Sequence, residues 1–314
     1  MVKLLQETRS MARRAVATIA AVCTGGALCV APAAAAPGAA PLKMNLDDFE
    51  RARKTVALPN GMTLGYLEAG DPAGRPVVLI HGLTDSGRDW VALIPELDPS
   101  LRLIVVDLRG HGRSSKPDCC YGLIDFAYDI RLLLDTLAIP RADVVGHSLG
   151  SFVTQTFAAS WPERTRRVVL ISSSGDPRSV GAGLRTQFAG LSDPLDPDSR
   201  FMIEWWSSPT PVDAEFLRRQ RRDAAAIPAS LWLTMLDQSM GEANVPGVLR
   251  RLRAPALLIW GGKDPIFGTK DRRSLRAALP SAQVKLYPKL GHNPFWEDPE
   301  GLAAVINPFL LARP

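Results

Sequence analysis

Residues 143–150, Asp-Val-Val-Gly-His-Ser-Leu-Gly, decide the fold. Residues 143–145 have the character of a short buried strand, and apolar residues at helical spacing begin just after position 150. Between them, Gly146-His147-Ser148-Leu149-Gly150 has the G-x-S-x-G spacing of a serine on a tight strand-to-helix turn. Glycines at 146 and 150 allow the close backbone approach that this turn needs, and a following helix N-terminus presents amide groups to a developing negative charge. The alternative, a chance pentapeptide in a turn, does not account for the strand before it and the helix after it. Ser148 is therefore the candidate nucleophile.

A serine hydroxyl needs a base, and the chain has four histidines. His147 is adjacent to Ser148, so its side chain is expected to point away from it. His81 and His111 follow two earlier predicted strands in glycine-containing turns. Elimination leaves His292, which follows the last predicted strand, at the edge of the sheet where catalytic groups gather in α/β folds. The alternative for His292 is a histidine that caps a surface turn.

The base in turn needs an acid that orients the imidazole and stabilises its protonated form. Asp264 follows the predicted strand 256–260 and precedes His292, which gives the chain order serine, aspartate, histidine. Asp176, after the predicted strand 168–171, is a competing acid, and its alternative is a helix cap or a turn residue. The chain order favours Asp264.

Two backbone amides are expected to hold the oxyanion. One belongs to Leu149, the residue after the nucleophile, and the other to Leu83, which follows His81-Gly82 after an earlier strand. For Leu83 the alternative is an ordinary turn residue. Each such donor typically contributes about 2.7–4 kcal/mol of transition-state stabilisation.

Outward from this segment, strands and helices alternate along the chain. Short apolar runs without polar alternation indicate strands covered on both faces, and helical periodicity lies between most of them. Positions 124, 127, 128, 130, 133, 134 and 137 recur at helical spacing. The pattern predicts a mostly parallel sheet with helices on both faces. The predicted strands are 55–58, 62–67, 77–80, 103–106, 143–145, 168–171, 256–260 and 284–287.

One interval has no strand candidate. More than eighty residues separate positions 171 and 256, too many for a loop, and they contain helix-like runs at 214–223 and 229–240. We expect a helical cap over residues 176–251, inserted into a core formed by 54–175 and 252–314. Trp205, Trp206 and Trp232 lie in this interval and either line an apolar pocket or pack inside the cap.

The first 36 residues differ from the rest. Basic residues (Lys3, Arg9, Arg13, Arg14) precede an apolar stretch and then an alanine-rich tract, the order found in a secretory signal peptide. We expect export to the periplasm or medium, with residues 37–53 as a linker or N-terminal extension. An uncleaved anchor and a mis-assigned start are the alternatives, and the cleavage point stays open.

The remaining chain gives no reason to expect nucleic acid or membrane as a partner. The net charge of +5 falls to +2 without the first 36 residues, and no later run has the ~20 apolar residues of a membrane span. Outside the predicted signal, the only cysteines are the adjacent pair Cys119-Cys120, which forms either a vicinal bridge or two free thiols and has no metal-ligand spacing. The oligomeric state stays open.

Four segments resemble the α/β-hydrolase superfamily, in particular its serine-nucleophile esterase, lactonase and cofactor-free haloperoxidase branch. They are 81–84, 107–114, 146–150 and 291–299, and the resemblance covers the chain from about residue 54 to the end. It implies an α/β-hydrolase fold with a mostly parallel eight-stranded sheet, flanking helices and a helical cap. It also implies a Ser148–His292–Asp264 triad, with neither cofactor nor metal.

The resemblance says less about the substrate. Serine at 148 disfavours relatives that use an aspartate there, and all four tyrosines lie outside the cap. We expect cleavage of a carboxylic ester of a small, apolar molecule through an acyl-enzyme. A lactonase, a carbon–carbon hydrolase or a perhydrolase would use the same triad. A receptor with low turnover and a purely structural role are alternatives of other classes.

Overall fold

The computed structural model describes residues 42–241 and 245–313 of the chain. The predicted signal peptide, residues 1–36, lies outside the described residues. Within them, no helix is both long and apolar enough to span a membrane.

A single sheet of eight strands organises the described residues, in the spatial order β1-β2-β4-β3-β5-β6-β7-β8. β1 and β2 pair antiparallel, as do β2 and β4, and every other neighbouring pair is parallel. β5 and β7 are buried along their whole length because both faces of the sheet are covered there, as their apolar runs predict. The mostly parallel α/β fold is confirmed. The strands are β1 (Lys54–Ala57), β2 (Thr63–Gly70), β3 (Arg75–Ile80), β4 (Leu101–Val106), β5 (Ala142–His147), β6 (Thr165–Ile171), β7 (Ala256–Gly261) and β8 (Gln283–Tyr287).

Helices connect these strands, and five of those described lie between β6 and β7, in the interval predicted as a cap. They are α4 (Arg178–Phe188), α5 (Arg200–Trp205), α6 (Ala214–Ala225), α7 (Ala229–Leu236) and α8 (Val245–Leu249). The others are α1 (Leu46–Ala52), α2 (Leu123–Thr136), α3 (Leu149–Ser160), α9 (Thr269–Ala278), α10 (Pro294–Glu297) and α11 (Pro299–Leu311). α3 contacts both α2 and α8, and nearly all of its residues are buried.

The helical face predicted for α2 needs a correction. Ala127, Ile130 and Leu133 are buried as expected, but Ile124 is 52% exposed and Tyr128 is 39% exposed. These two residues are four apart and therefore share one outward face. Tyr128 is instead covered in part by Trp161 at the surface.

Helix α1 lies in the segment predicted as a linker. Asn45 caps it by accepting from the amides of Asp47 and Asp48, and the Asp48 carboxylate accepts from the Asn45 amide in return. Phe49 is 1% exposed and anchors the helix to the core. The asparagine three residues before an acidic residue is the sequence signal that predicts such a helix.

The adjacent cysteines are joined. Cys119 and Cys120 form a vicinal disulfide in the exposed loop before α2. The next residue, Tyr121, is buried, and its amide donates to the side chain of Gln238, which follows α7. The loop that carries the disulfide therefore contacts the interval between β6 and β7.

Candidate active site

Ser148 lies between β5 and α3 with backbone angles φ 50° and ψ −116°. This left-handed conformation is strained for a residue with a side chain, and it turns the chain sharply from strand into helix. A Cβ on Gly146 would lie 2.2 Å from the Gly150 carbonyl oxygen, and one on Gly150 would lie 2.3 Å from that of Ile80. No other residue type fits at these two positions without moving backbone, so the two glycines of the motif are sterically required.

His292 follows β8 and contacts Asp264, which follows β7. The imidazole Nδ1 lies 3.0 Å from Asp264 Oδ2 and 3.1 Å from Oδ1. Because a carboxylate only accepts, Nδ1 carries the proton, and Nε2 keeps its lone pair when the ring is neutral. The amides of Ile266 and Phe267 also donate to Asp264, which holds the carboxylate in place.

The surroundings of Asp264 keep it ionised. Burial by itself raises the pKa of this carboxyl, but the His292 charge, the His292 hydrogen bond and the two amide donors outweigh burial, so the pKa lies below its usual value. The competing Asp176 faces elsewhere. Its carboxylate accepts from the Arg178 guanidinium at 2.7 and 2.9 Å.

The other three histidines are buried, and each bonds through a ring nitrogen to a backbone group of the loops at this edge of the sheet. His81 Nε2 accepts from the Leu108 amide, and His111 Nε2 accepts from the Thr84 amide. Burial lowers the pKa of His81 to about 4 and that of His111 to about 3, so both rings are neutral. They act as supports of the loops at the carboxyl edge of the sheet.

A cavity of about 460 Å³ opens above the strand ends, within the range of small-molecule sites. Ser148, His292 and Leu83 line it together, and His292 is the only one of the four histidines, all of them described, that does so. Most of its other walls come from the helices between β6 and β7 and from the loop after β7. The remaining lining residues are Asp85, Leu184, Gln187, Phe201, Glu204, Trp205, Trp206, Ser207, Ser208, Pro209, Met240, Lys263, Pro265, Ile266, Asn293 and Trp296.

The two amides predicted to hold an oxyanion are available. Leu149 is the first residue of α3, where an amide has no partner within its own helix. Among the described residues, neither the Leu149 nor the Leu83 amide donates to a protein acceptor. Leu83 contributes to the cavity wall, whereas the Leu149 side chain is fully buried and only its backbone is relevant here.

Two further residues at this edge of the sheet have left-handed backbone. Thr84, beside Leu83, has φ 68°, and Ser172, at the end of β6, has φ 48°. The Ser172 hydroxyl donates to the backbone carbonyl of His292 at 2.7 Å, and His147 Nε2 lies 3.1 Å from the same oxygen. Two groups thus anchor the backbone that carries the His292 imidazole.

The three cap tryptophans do not share one role. Trp205 and Trp206 line the cavity, and their indole N–H groups donate to Thr84 Oγ1 and Asp85 Oδ1. Trp232 is fully buried and is not part of the cavity wall. It packs edge-on against Phe188 and Trp206 and so fills the cap interior, which rules out pocket lining, the first of its two predicted roles.

A group of buried polar residues lies below Leu83, and no sequence pattern predicts it. Asp85, Asp89 and His147 each place one ligand atom within 4.8 Å of the others, and all three are buried. Gln220 of α6 contacts this group through Asp89. Only Asp85 lines the cavity, and no sequence motif joins these positions.

Comparison with known proteins agrees with the fold described above. The model of the alpha/beta hydrolase family matches residues 77–305. The 2-hydroxy-6-oxo-2,4-heptadienoate hydrolase of Pseudomonas putida is 26% identical over 275 residues, which cover 82% of this chain and 96% of that protein. The pimeloyl-(acyl-carrier protein) methyl ester esterase of Serratia marcescens is 27% identical over 261 residues, covering 80% of this chain and all of that protein (100%).

Solved structures agree on the fold. The enol-lactonase of Burkholderia xenovorans LB400 superposes with a TM-score of 0.69 at 22% identity, covering 82% of this chain and 100% of that one. At this identity the likeness concerns the fold alone.

Proposed function

The chain belongs to the alpha/beta hydrolase family, and from that premise we propose that it is a serine esterase that hydrolyses small, mainly apolar carboxylic esters. One observation carries the proposal: a serine on a strained strand-to-helix turn shares a cavity wall with the imidazole that contacts Asp264. This is the arrangement that acyl transfer requires.

Acylation begins at Ser148. His292 Nε2 removes the hydroxyl proton while the Ser148 oxygen attacks the ester carbonyl carbon, and Asp264 stabilises the imidazolium that forms. The amides of Leu83 and Leu149 donate to the oxyanion of the tetrahedral intermediate. His292 then returns the proton to the leaving alkoxide, and the alcohol departs from an acyl-Ser148 enzyme.

Deacylation repeats these steps with water. His292 removes a proton from a water molecule, which attacks the acyl carbon, and the same two amides stabilise the second oxyanion. The proton then passes to Ser148, and the carboxylic acid leaves.

The cavity supports small, apolar substrates. Trp205, Trp206, Phe201, Leu184 and Ile266 supply broad apolar walls, and about 460 Å³ accommodates a small molecule rather than a polymer. We place the acyl and alcohol groups against these walls, with the carbonyl at Ser148.

Substitution of the nucleophile tests the proposal. We predict that Ser148→Ala lowers kcat for a short p-nitrophenyl ester by about 10⁶-fold, because residues that act as one catalytic unit lose nearly all their effect together. The control is Ser230→Ala, at an exposed serine of α7, which should retain parental activity. A fluorophosphonate should label the parent once, at Ser148. Ser148→Ala with near-parental turnover contradicts the proposal.

Relatives that are named for other reactions indicate which competing activities should be tested. The heptadienoate hydrolase and the enol-lactonase are named for other substrates. The purified protein should be assayed with a chain-length series of esters, with lactones, with vinylogous diketones and for peracid formation. We expect the highest kcat/KM on an ester. A preference of more than tenfold for a lactone or diketone reassigns the substrate, and stoichiometric labelling without turnover favours a receptor.

We also propose that the protein is exported. The order of basic, apolar and small residues in positions 1–36 supports this, and so does the Cys119–Cys120 disulfide, since disulfides persist in oxidising compartments. Expression of the full chain in a bacterium, followed by fractionation and N-terminal sequencing, should give a shortened protein outside the cytoplasm. A variant that lacks residues 1–36 is the control and should stay inside. A full-length cytoplasmic product contradicts export.

A further inference from the structure

Three groups with hydrogen-bond acceptor atoms converge below the Gly82–Leu83 loop. Asp85, Asp89 and His147 are 7%, 0% and 1% exposed. A Cβ on Gly82 would lie 2.7 Å from Asp85 Oδ2 and 3.0 Å from His147 Nδ1, so both atoms press against the backbone of this loop.

The tautomer of His147 follows from its partner. Its Nε2 lies 3.1 Å from the His292 carbonyl oxygen, which can only accept, so Nε2 carries the proton. In the neutral ring Nδ1 is then a bare acceptor. It has no hydrogen-bond partner, and the nearest carboxylate atom is Asp89 Oδ2 at 3.9 Å, which has none either.

The carboxyl groups of Asp85 and Asp89 also lie close to each other. Asp89 accepts from the Gln220 amide group and from the Gly82 backbone amide. Asp85 accepts from the Trp206 indole, and one of its carboxyl oxygens lies within 4.8 Å of an oxygen of Asp89. Two ionised carboxylates this close in a buried site repel each other, so the arrangement favours a proton on one of them.

No cation in the described residues neutralises this group directly. The neighbouring Arg88 guanidinium is 2.9 Å from Asp223 and also contacts Glu50, so its charge is already paired. A buried pair of ionised carboxylates without a counter-ion is strongly unfavourable, whereas a single shared proton satisfies the facing acceptors.

We propose that Asp85, Asp89 and His147 hold one proton in common, and that this shared proton keeps the Gly82–Leu83 loop in the position that serves the oxyanion. Asp89 is the positioning residue, because it binds the Gly82 amide immediately before Leu83 and reaches α6 through Gln220. The inference rests on the proposed function only for the role of Leu83. The shared proton itself follows from the geometry.

The electrostatics of the surroundings agree with this assignment. Burial raises the pKa of Asp85 to about 7, and burial together with the Asp85 charge raises the pKa of Asp89 well above its usual value. Burial, reinforced by the His292 charge, lowers the pKa of His147. The other charged or titratable groups that act on the three are His81 below the loop, His292 from the loop after β8 and Asp223 from α6.

Loss of the proton at alkaline pH leaves two adjacent buried carboxylates, whose repulsion displaces the loop and with it the Leu83 amide. We expect kcat on the best ester to fall on the alkaline side by about tenfold per pH unit, the slope of a one-proton ionisation. KM should change much less, since an oxyanion donor acts mainly in the transition state.

Asp89→Asn is the diagnostic variant. The asparagine oxygen still accepts from Gly82 and Gln220, and its NH₂ group permanently supplies the donor that the shared proton provides. We expect kcat near pH 7 within about threefold of the parent and no alkaline decline. Asp89→Leu cannot bind Gly82 and should lose at least tenfold in kcat at every pH. An unchanged alkaline decline in Asp89→Asn overturns the proposal.

A second measurement does not depend on turnover. In a Ser148→Ala background, infrared difference spectra across pH 6–9 should show a protonated carboxyl band that disappears on alkalinisation and is absent in Asp89→Asn. Its presence supports the shared proton even if no ester proves to be a substrate. A spectrum without this band overturns the proposal. So does metal analysis of the purified parent that finds one tightly held cation, lost in Asp89→Asn.

Discussion

Asp264 and the Asp85–Asp89 pair are buried carboxyl groups at the same edge of the sheet, and their partners differ. Asp264 faces donors only: the His292 ring and the amides of Ile266 and Phe267. Asp85 and Asp89 receive donors too, but they also face each other and the bare nitrogen of His147. Equal burial therefore leads to opposite charge states. The groups that face a carboxyl group, more than its depth, therefore determine whether it is ionised.

The largest difference is expected when the same substitution, aspartate to asparagine, is made at Asp264 and at Asp89. We predict that Asp264→Asn lowers kcat about 10⁴-fold, because an amide NH₂ facing Nδ1 favours the wrong imidazole tautomer. Asp89→Asn, in contrast, keeps the donor pattern of the protonated acid. Parallel kinetics on one ester at pH 7 measure the difference, and two variants of equal activity would refute the contrast.

The pH dependence of stability should also distinguish Asp264 from the Asp85–Asp89 pair, with a smaller effect. A raised carboxyl pKa in the folded state gives stability that is complete below the unfolded pKa of about 3.9 and is lost as pH rises through the folded value, which is about 7 for Asp85. A lowered pKa, as for Asp264, gives stability that is lost as pH falls. In thermal unfolding from pH 5 to 9, the Tm of Asp89→Asn should therefore increase relative to the Tm of the parent as pH rises. A constant difference in Tm would argue against a buried proton.

The smallest effect is expected at Asp176. Its carboxylate pairs with Arg178 and is partly exposed, so Asp176→Asn should change kcat/KM by less than about twofold. Asp264→Asn on the same ester is the reference. A loss of several hundredfold at Asp176 would mean that the acid following β6, and not the one following β7, supports His292.

The candidate site residues at the carboxyl edge of the sheet were predictable from the sequence because local chemistry restricts them. Gly146 and Gly150 are required by atoms a few residues away or on the adjacent strand, so the motif carries its own geometry. His292 and Asp264 follow strands that are recognisable as apolar runs. The fold and these positions were therefore predictable, and the roles of the side chains stay predictions until the variants are measured.

Other features depend on contacts that no local pattern encodes. Gln220 lies within Arg218-Arg219-Gln220-Arg221-Arg222, a run typical of a solvated helix face, yet Gln220 is 1% exposed and contacts Asp89. Asp85 and Asp89 are indistinguishable in sequence from loop residues that bind water. The role of Trp232 was left open for a related reason, since three tryptophans of one cap divide between wall and interior only once the helices pack.

The left-handed backbone at Thr84, Ser148 and Ser172 has a consequence for engineering. Each such residue costs on the order of 1–3 kcal/mol that the rest of the fold must offset, and all three surround the proposed chemistry. Glycine at Thr84 or Ser172 would relieve this cost and at the same time loosen residues beside the reacting atoms, and glycine at Ser148 would remove the nucleophile itself. Heat-tolerant variants should therefore be sought among the exposed helix faces, where a gain in rigidity leaves the turnover machinery alone.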